Sequence, residues 1–184
     1  TANIVFNSPA FVKTTWYWMD GVNTMNAPLL GACELRFRGG KYFLSIANVF
    51  AASGAKEMIF EKDIPLVFDL VDGEQKFAAF SAERDNSATC EITSSTGQTL
   101  KLTNGSADSV YRGIFSGNVN FDVMGDKTVT LHGKSTTTGT LALSGEAKVV
   151  FAAGASWRGG LSLEKGDGTQ SITLDNGGMT VSSL

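Results

Sequence analysis

The chain has few of the residues on which most catalytic and nucleic-acid-binding sites depend. Its 184 residues include one histidine, two cysteines and three prolines, and 18% of them are charged. The formal net charge is −3, whereas a surface that binds nucleic acid needs clustered Lys and Arg to neutralise phosphates. No run of about 18 apolar residues occurs, which excludes a transmembrane helix. We therefore expect no nucleic-acid partner and no membrane insertion of this segment.

Sustained helical periodicity is also missing. No long stretch repeats apolar residues at i, i+3 and i+4, so helix content should be low. Instead, apolar residues two positions apart recur through the second half, as in Val119/Phe121 and Leu141/Leu143, with polar residues between them. Glycine follows most of these pairs within a few residues. Short strands that start about every 8–12 residues are typical of an all-β domain.

Composition divides the single domain expected over residues 1–184 into two parts. Residues 1–92 contain nine of the twelve phenylalanines and two of the three tryptophans, but only six of the 21 glycines. Residues 93–184 contain the other fifteen glycines and are rich in Thr and Ser. We expect irregular aromatic-rich coils or a cap in the first part and regular, glycine-rich short-strand repeats in the second.

Two all-β architectures fit this pattern, a β-sandwich and a solenoid. Glycine or Asn at nearly every corner, very short strands and few hairpin dipeptides favour the solenoid. Its coils should be about 20–25 residues long, with two or three strands each. The predicted interior of residues 118–182 consists of nine apolar side chains: Val119, Phe121, Leu131, Leu141, Leu143, Leu161, Leu163, Ile172 and Leu174.

Three aromatic-Arg-Gly triplets occur, at residues 37–39, 111–113 and 157–159. The aromatic positions are 74 and 46 residues apart, near three and two coils of the expected length. We expect each aromatic to cap a corner, each Arg to be exposed and each Gly to permit a tight bend. Gly113 and Gly159 should then occupy equivalent bends, with Tyr111 and Trp157 on the same side of the domain.

The segment "TGTLALSGEAKVVFAAGASWRGGLSLEKGDG" resembles the repeats of autotransporter passenger domains and related bacterial surface proteins. A less similar copy, "TLKLTNGSADSVYRGIFSGNVNF", has the same order of elements, and the resemblance covers residues 97–182. It implies a right-handed parallel β-helix that is extracellular or on the bacterial cell surface. The implied function is non-enzymatic, that of a passenger, stalk or adhesin, with host or environmental glycans or surface proteins as partners. The aromatic-rich first half departs from the family pattern.

One aromatic cluster suggests an alternative function. Trp16, Tyr17 and Trp18 are consecutive, and in a strand Trp16 and Trp18 share one face. Such a face could stack on a sugar ring, which would make the chain a carbohydrate-binding module. The same side chains could instead fill the core of a cap.

Catalytic and metal-binding patterns are weak. His132 follows Leu131 in alternation and should face solvent, and no serine stands in a nucleophile-elbow context. Asp167 and Asp175 lie in a glycine-rich stretch without the ligand spacing of a calcium loop. We predict no catalytic residue, no metal and no cofactor.

A third function remains open, that of a β-helix enzyme that degrades polysaccharides. Such an enzyme needs two or three carboxylates, or a carboxylate with a cation, on one face. Asp122 and Asp126 flank one predicted strand and could approach Arg112 if coils stack as proposed. The alternative is that these residues are solvated charges at strand edges and turns.

The cysteines and the chain ends carry two further expectations. Cys33 and Cys90 could form one bridge or remain two buried thiols. The sequence starts without an initiator Met and ends in a strand pattern, "NGGMTVSSL", that no cap follows. We expect the native protein to continue beyond Leu184 and the isolated segment to associate end to end, because an uncovered strand edge is a template for pairing.

Overall fold

Every regular element of the described chain is a β-strand. The computed structural model describes residues 3–6, 10–11, 16–18, 21–30, 35–37, 39–50, 58–60, 65–80, 90–103, 107–164 and 168–175. Within these ranges no helix is long and apolar enough to cross a bilayer. The strands are β1 (Asn3–Phe6), β2 (Ala10–Phe11), β3 (Trp16–Trp18), β4 (Val22–Met25), β5 (Leu29–Leu30), β6 (Leu35–Phe37), β7 (Gly40–Leu44), β8 (Met58–Phe60), β9 (Leu66–Leu70), β10 (Gln75–Phe77), β11 (Cys90–Ser94), β12 (Thr99–Leu102), β13 (Ser109–Tyr111), β14 (Ile114–Gly117), β15 (Asn120–Val123), β16 (Thr128–Leu131), β17 (Leu141–Leu143), β18 (Lys148–Phe151), β19 (Leu161–Leu163) and β20 (Ser171–Leu174).

The strands stack in parallel on three faces. Face 1 is the six-stranded sheet β1-β4-β7-β9-β11-β14, face 2 is β10-β12-β15-β17-β19, and face 3 is β13-β16-β18-β20. Two smaller sheets, β2-β5 and β3-β6-β8, belong to the first coils. Consecutive strands such as β14, β15 and β16 lie on different faces, and each pairs in parallel with a strand one coil away. This topology is a parallel β-solenoid; a sandwich would pair its strands antiparallel. The right-handed sense of the coil stays a prediction.

Coil length agrees with the sequence-based expectation. Phe121 pairs with Leu141 and Leu141 pairs with Leu161, so one coil takes 20 residues here. Earlier coils vary more, from 19 residues between Asn3 and Val22 to 26 between Gly40 and Leu66. Regular coils thus follow less regular ones along the chain.

The core is a set of side-chain columns that run along the solenoid axis. Strands alternate buried and outward residues, as in the pattern of Leu66–Leu70. Parallel pairing places the buried residues of successive coils above one another, as with Leu102, Val123 and Leu143. Five residues of the predicted interior are buried: Val119, Phe121, Leu131, Leu141 and Leu143.

The prediction was wrong for the last coil. Leu163 is 55% exposed and Leu174 is 48% exposed, whereas Leu161 and Ile172 are partly buried against the core. Leu163 pairs with the buried Leu143, and Leu174 with the buried Phe151. Among the described strands β19 and β20 are the last of their sheets, so the buried neighbours that the structure describes lie on one side of these leucines.

The corners also differ from the prediction. A Cβ atom on Gly133 would overlap the carbonyl oxygen of Gly113, and one on Gly159 would overlap that of Gly139. Gly113 and Gly159 therefore belong to two different stacks of corner glycines. The physical reason is the coil length, since a spacing of 46 residues exceeds two 20-residue coils by enough to reach the next corner.

The second and third triplets share a local interaction instead of a common corner, and at the first triplet, whose aromatic is Phe37, a nearby tyrosine makes a similar bond. Tyr111 Oη donates to the carbonyl of Ile114 at 3.1 Å, and Trp157 Nε1 donates to that of Gly160 at 3.2 Å. At the first triplet Tyr42 Oη donates to the carbonyl of Gly39 at 3.0 Å. The aromatic rings lie in the core, and their polar tips satisfy a carbonyl at a bend where a glycine leaves room.

The arginines of the triplets are not equivalent. Arg158 is exposed, as expected, and Arg112 is half-buried. Arg38 lies outside the described residues.

Candidate functional site

The outer side of face 2 carries a groove of about 300 Å³. One column of outward-facing side chains in this groove consists of Lys101, Asp122, Ala142 and Ser162, which pair in register on β12, β15, β17 and β19. The small side chains in this column form the floor. Among the described residues, the lining is Lys101, Asp122, Met124, Ala142, Leu143, Ser144, Ser162 and Glu164.

Charged groups of both signs border this groove. Lys101 Nζ lies 3.1 Å from Glu74 Oε2. Partial burial raises the pKa of the Asp122 carboxyl, Lys101 opposes that shift, and the carboxylates of Glu74 and Glu164 add to it. The groove thus presents a carboxyl that holds its proton more tightly than an ordinary aspartate, together with hydroxyls and a cation. Such a set can form hydrogen bonds with a polyhydroxyl ligand, and a carboxyl with a raised pKa is suited to proton donation.

The structure does not bring Asp126 and Arg112 to Asp122. Asp126 is exposed in the turn after β15, where the Lys127 ammonium, at 3.2 Å, lowers the pKa of the Asp126 carboxyl. Arg112 follows β13 at the corner between faces 3 and 1. Asp122 instead shares its groove with Lys101 and Glu164, which sequence reasoning missed. The coil repeat could have indicated that Lys101 lies next to Asp122, because Lys101 is one coil before Asp122 in the sequence.

His132 lies at the end of β16 and is half-buried instead of fully turned to solvent. Partial burial lowers the pKa of its imidazole, and the charge of Arg112 lowers it further. Within the described ranges no group of three or more His, Cys, Asp and Glu side chains is placed to hold a metal ion. Asp175 is exposed, and Asp167 lies outside the described residues.

The proposed aromatic platform is described only in its backbone. Strand β3 pairs in parallel with β6, so that Trp16 is opposite Leu35 and Trp18 is opposite Phe37. Leu35 and Phe37 are buried. The side chains of Trp16 and Trp18 lie outside what the structure describes, and their glycan-binding role stays a prediction.

Cys90 is a free, buried thiol. Tyr111 Oη lies 3.7 Å from its Sγ atom. Burial raises the pKa of Cys90 to about 12. Cys33 lies outside the described residues.

No protein-family model, no curated protein and no solved structure matches the chain. The resemblance to autotransporter repeats therefore stays a prediction, and function has to be inferred from the geometry of the solenoid itself.

Proposed function

We propose that this chain is a non-enzymatic segment of a secreted or cell-surface β-solenoid protein, in which it serves as a stalk, spacer or adhesin. The observation that carries the proposal is the apolar end of the described solenoid. Leu163 and Leu174 continue two buried columns and are about half exposed, on the last strands of faces 2 and 3. An end of this kind fits a further coil or a second molecule.

Interactions between coils support a rod-like role. Asn120 Nδ2 donates to the Gly97 carbonyl of the preceding coil, and Asn120 Oδ1 accepts from the Thr140 amide of the next coil, each at 3.0 Å. Thr138 Oγ1 donates to the Gly117 carbonyl of the preceding coil at 3.2 Å. Each coil is thus bonded to its neighbours along the axis, and this arrangement can be extended by adding coils.

Burial of the apolar end supplies the driving force for association. Covering a leucine side chain fully contributes about 1.5–3 kcal/mol, and these two leucines are already partly covered. Unpaired backbone groups along an edge strand add hydrogen bonds when another strand docks. We therefore expect self-association through the end of the solenoid at high concentration.

Light scattering on a dilution series up to about 1 mM tests this proposal. We expect the average mass to rise with concentration for the natural sequence and to stay monomeric for the double variant Leu163→Asp, Leu174→Asp. Met124→Asp is the matched control, because Met124 is 36% exposed but lies on the side of the solenoid. A natural chain that stays monomeric, or a double variant that associates as strongly as the natural chain, would overturn the proposal.

A second candidate function is carbohydrate binding in the groove on face 2. It is favoured by the placement of Lys101, Asp122 and Glu164 around a floor of small residues. Glycan-array binding that is lost in Asp122→Asn and Glu164→Gln would support this groove as the site. Loss in Trp16→Ala and Trp18→Ala instead would place the site on β3. Turnover of a pectin-like polymer that Asp122→Asn abolishes would identify the polysaccharide-degrading enzyme of the third hypothesis.

A further inference from the structure

A second hollow, of about 320 Å³, lies on face 1 beyond β14. The backbone of residues 134–138 continues this face, since the Thr136 amide donates to the Phe115 carbonyl at 2.8 Å. Ser156 pairs in parallel with Lys134 and begins the next coil. The hollow is lined by Lys134, Ser135, Thr136, Ser156, Trp157 and Arg158.

Alternation along the two segments places four polar side chains on the outer surface. Lys134, Thr136 and Arg158 are exposed and Ser156 is half-buried, whereas Trp157 is buried beneath them. Lys134 is opposite Ser156, whereas Gly159 lies over Gly139, so residues 156–159 and 134–139 are not in continuous register. The side chains of Lys134 and Arg158 line the same hollow, together with those of Thr136 and Ser156. A hollow of about 320 Å³ can hold one small anion within reach of both cations.

Lys134 and Arg158 differ from the lysines of the solenoid that form ion pairs. The ammonium groups of Lys41, Lys76, Lys101 and Lys127 lie 3.1 to 3.5 Å from a carboxylate oxygen. Among the described residues, neither Lys134 nor Arg158 forms an ion pair or a side-chain hydrogen bond. The same is true of the hydroxyls of Thr136 and Ser156. The site therefore keeps two positive charges and two hydroxyl donors available for a ligand.

The neighbouring strand adds no negative charge to this hollow. The outward residues of β14 next to it are Ile114 and Ser116, which are uncharged. Glu91, one strand further away on β11, accepts a hydrogen bond from Ser116 Oγ. Among the described residues that line the hollow, the charged ones are Lys134 and Arg158, and both are positive.

We infer that Lys134 and Arg158 bind one carboxylate or sulfate group of an acidic glycan. A guanidinium donates two parallel hydrogen bonds to such a group, and the ammonium adds a point charge. The hydroxyls of Thr136 and Ser156 can bond to the remaining oxygen atoms or to adjacent sugar hydroxyls. This ligand site goes beyond the role of a rod and does not involve the end of the solenoid.

Binding of the full chain to three oligosaccharides tests the inference. The probes are a heparin-derived hexasaccharide, an oligogalacturonate that carries carboxylates only, and a neutral oligoglucan, titrated by calorimetry at low ionic strength. We expect binding of at least one acidic probe, none of the neutral one, and weakening by added salt. The heparin hexasaccharide carries both sulfates and carboxylates, so its binding without binding of the oligogalacturonate points to sulfate, whereas binding of the oligogalacturonate shows that a carboxylate is sufficient.

Charge-removing variants locate the site. Lys134→Gln and Arg158→Gln should each weaken binding about three- to tenfold, and Arg158→Lys should weaken it less than Arg158→Gln because it keeps the charge but loses the bidentate geometry. Lys76→Gln removes the same charge from face 2 and should leave affinity within about twofold. Since all these side chains are solvent-accessible, melting temperatures should stay unchanged and will exclude unfolding as the cause.

Three results would overturn the inference. They are absence of binding to both acidic probes at about 10 mM, an equal effect of Lys76→Gln and Lys134→Gln, and tighter binding of an oligonucleotide than of either glycan. None of these measurements depends on Leu163 or Leu174, so the failure of the glycan site is distinguishable from the failure of end-to-end association.

Discussion

At the scale of single residues, Cys90 is a fully buried reactive group. Its side chain is buried in the core beside the hydroxyl of Tyr111. Burial raises the pKa of the thiol to about 12, so the thiolate is scarce at neutral pH. Because the thiolate is the nucleophile, Cys90 should be chemically inert in the folded protein.

Thiol labelling checks this expectation. In the variant Cys33→Ser, Cys90 is the single remaining thiol. We expect an aromatic disulfide reagent at pH 8 to label it only at the rate of unfolding, and to label it at once in concentrated guanidinium. Rapid stoichiometric labelling under native conditions would show that Cys90 is accessible.

Asp122 should make stability depend on pH. Its pKa is raised above the ordinary value of 3.8 in the folded chain, so the folded state binds a proton more tightly than the unfolded state. Stability is then highest below the ordinary pKa and falls as the pH rises through the raised one. Asp122→Asn should therefore unfold at a higher temperature than the natural sequence at pH 7, and the difference should vanish near pH 3.5.

Asp126 provides a control, because its pKa is shifted in the direction opposite to that of Asp122. Lys127 lowers the pKa of Asp126, so its contribution is present above the ordinary pKa and is lost as the pH falls. Asp126→Asn should leave stability unchanged or slightly reduced at pH 7. A stabilising effect of Asp126→Asn, or a destabilising effect of Asp122→Asn at pH 7, would contradict this account.

At the scale of elements, similar strands behave differently according to their position in the stack. β17 and β19 share the pattern Leu-x-Leu and pair in register. Leu143 is fully buried, whereas Leu163 in the next coil is 55% exposed. Leu143 in β17 thus has core atoms on both sides along the solenoid axis, whereas for Leu163 in β19 the structure describes core atoms on one side.

Paired substitutions measure this difference. Leu143→Asp places an unpaired charge in an apolar core and should lower the free energy of unfolding by several kcal/mol, about 3 or more. Leu163→Asp, in the same column, should cost less than about 1 kcal/mol because its carboxylate stays hydrated. Urea unfolding of both variants gives the comparison. Equal losses would show that β19 is covered in solution.

At the scale of the whole molecule, an aromatic ladder joins the two compositional parts. Phe80 stacks on Tyr111 with ring centroids 4.9 Å apart and contacts Phe60 at 5.6 Å. Tyr111 contacts Phe115 at 5.0 Å, and Phe115 stacks on Phe121 at 4.7 Å. Rings from before and after residue 92 therefore pack in one continuous core.

Removing the middle of the ladder should weaken both parts. Phe80→Ala creates a cavity at their junction and should lower the free energy of unfolding by about 3–5 kcal/mol. Hydrogen exchange should accelerate in β8 and in β13 alike. Phe43→Ala is the control, since Phe43 lies partly exposed on the outside of face 1 beneath the Lys41 ammonium. Exchange that changes only before residue 92 would indicate two independent units.

Local features of this protein follow from its amino-acid sequence. Apolar residues at i and i+2, as in Leu141 and Leu143, specify short half-buried strands because side chains alternate along an extended backbone. Repetition of these pairs with glycine corners predicted coils of about 20–25 residues and favoured a solenoid over a sandwich. The strand pattern depends on neighbours in the chain and could be predicted from the sequence alone, whereas the parallel pairing of the coils came from the structure.

Which side chains from different coils lie together depends on the register between coils, and this register is a property of the tertiary structure. Asp122 meets Lys101 and Glu164 in one groove, and Lys134 shares a hollow with Arg158, only because particular coils lie next to each other at particular residues. Gly113 and Gly159 look alike in sequence but stack at different corners. The physical reason is that a side chain's surroundings in a solenoid come from the coils above and below it. Small variations in coil length shift these neighbours without changing the strand pattern.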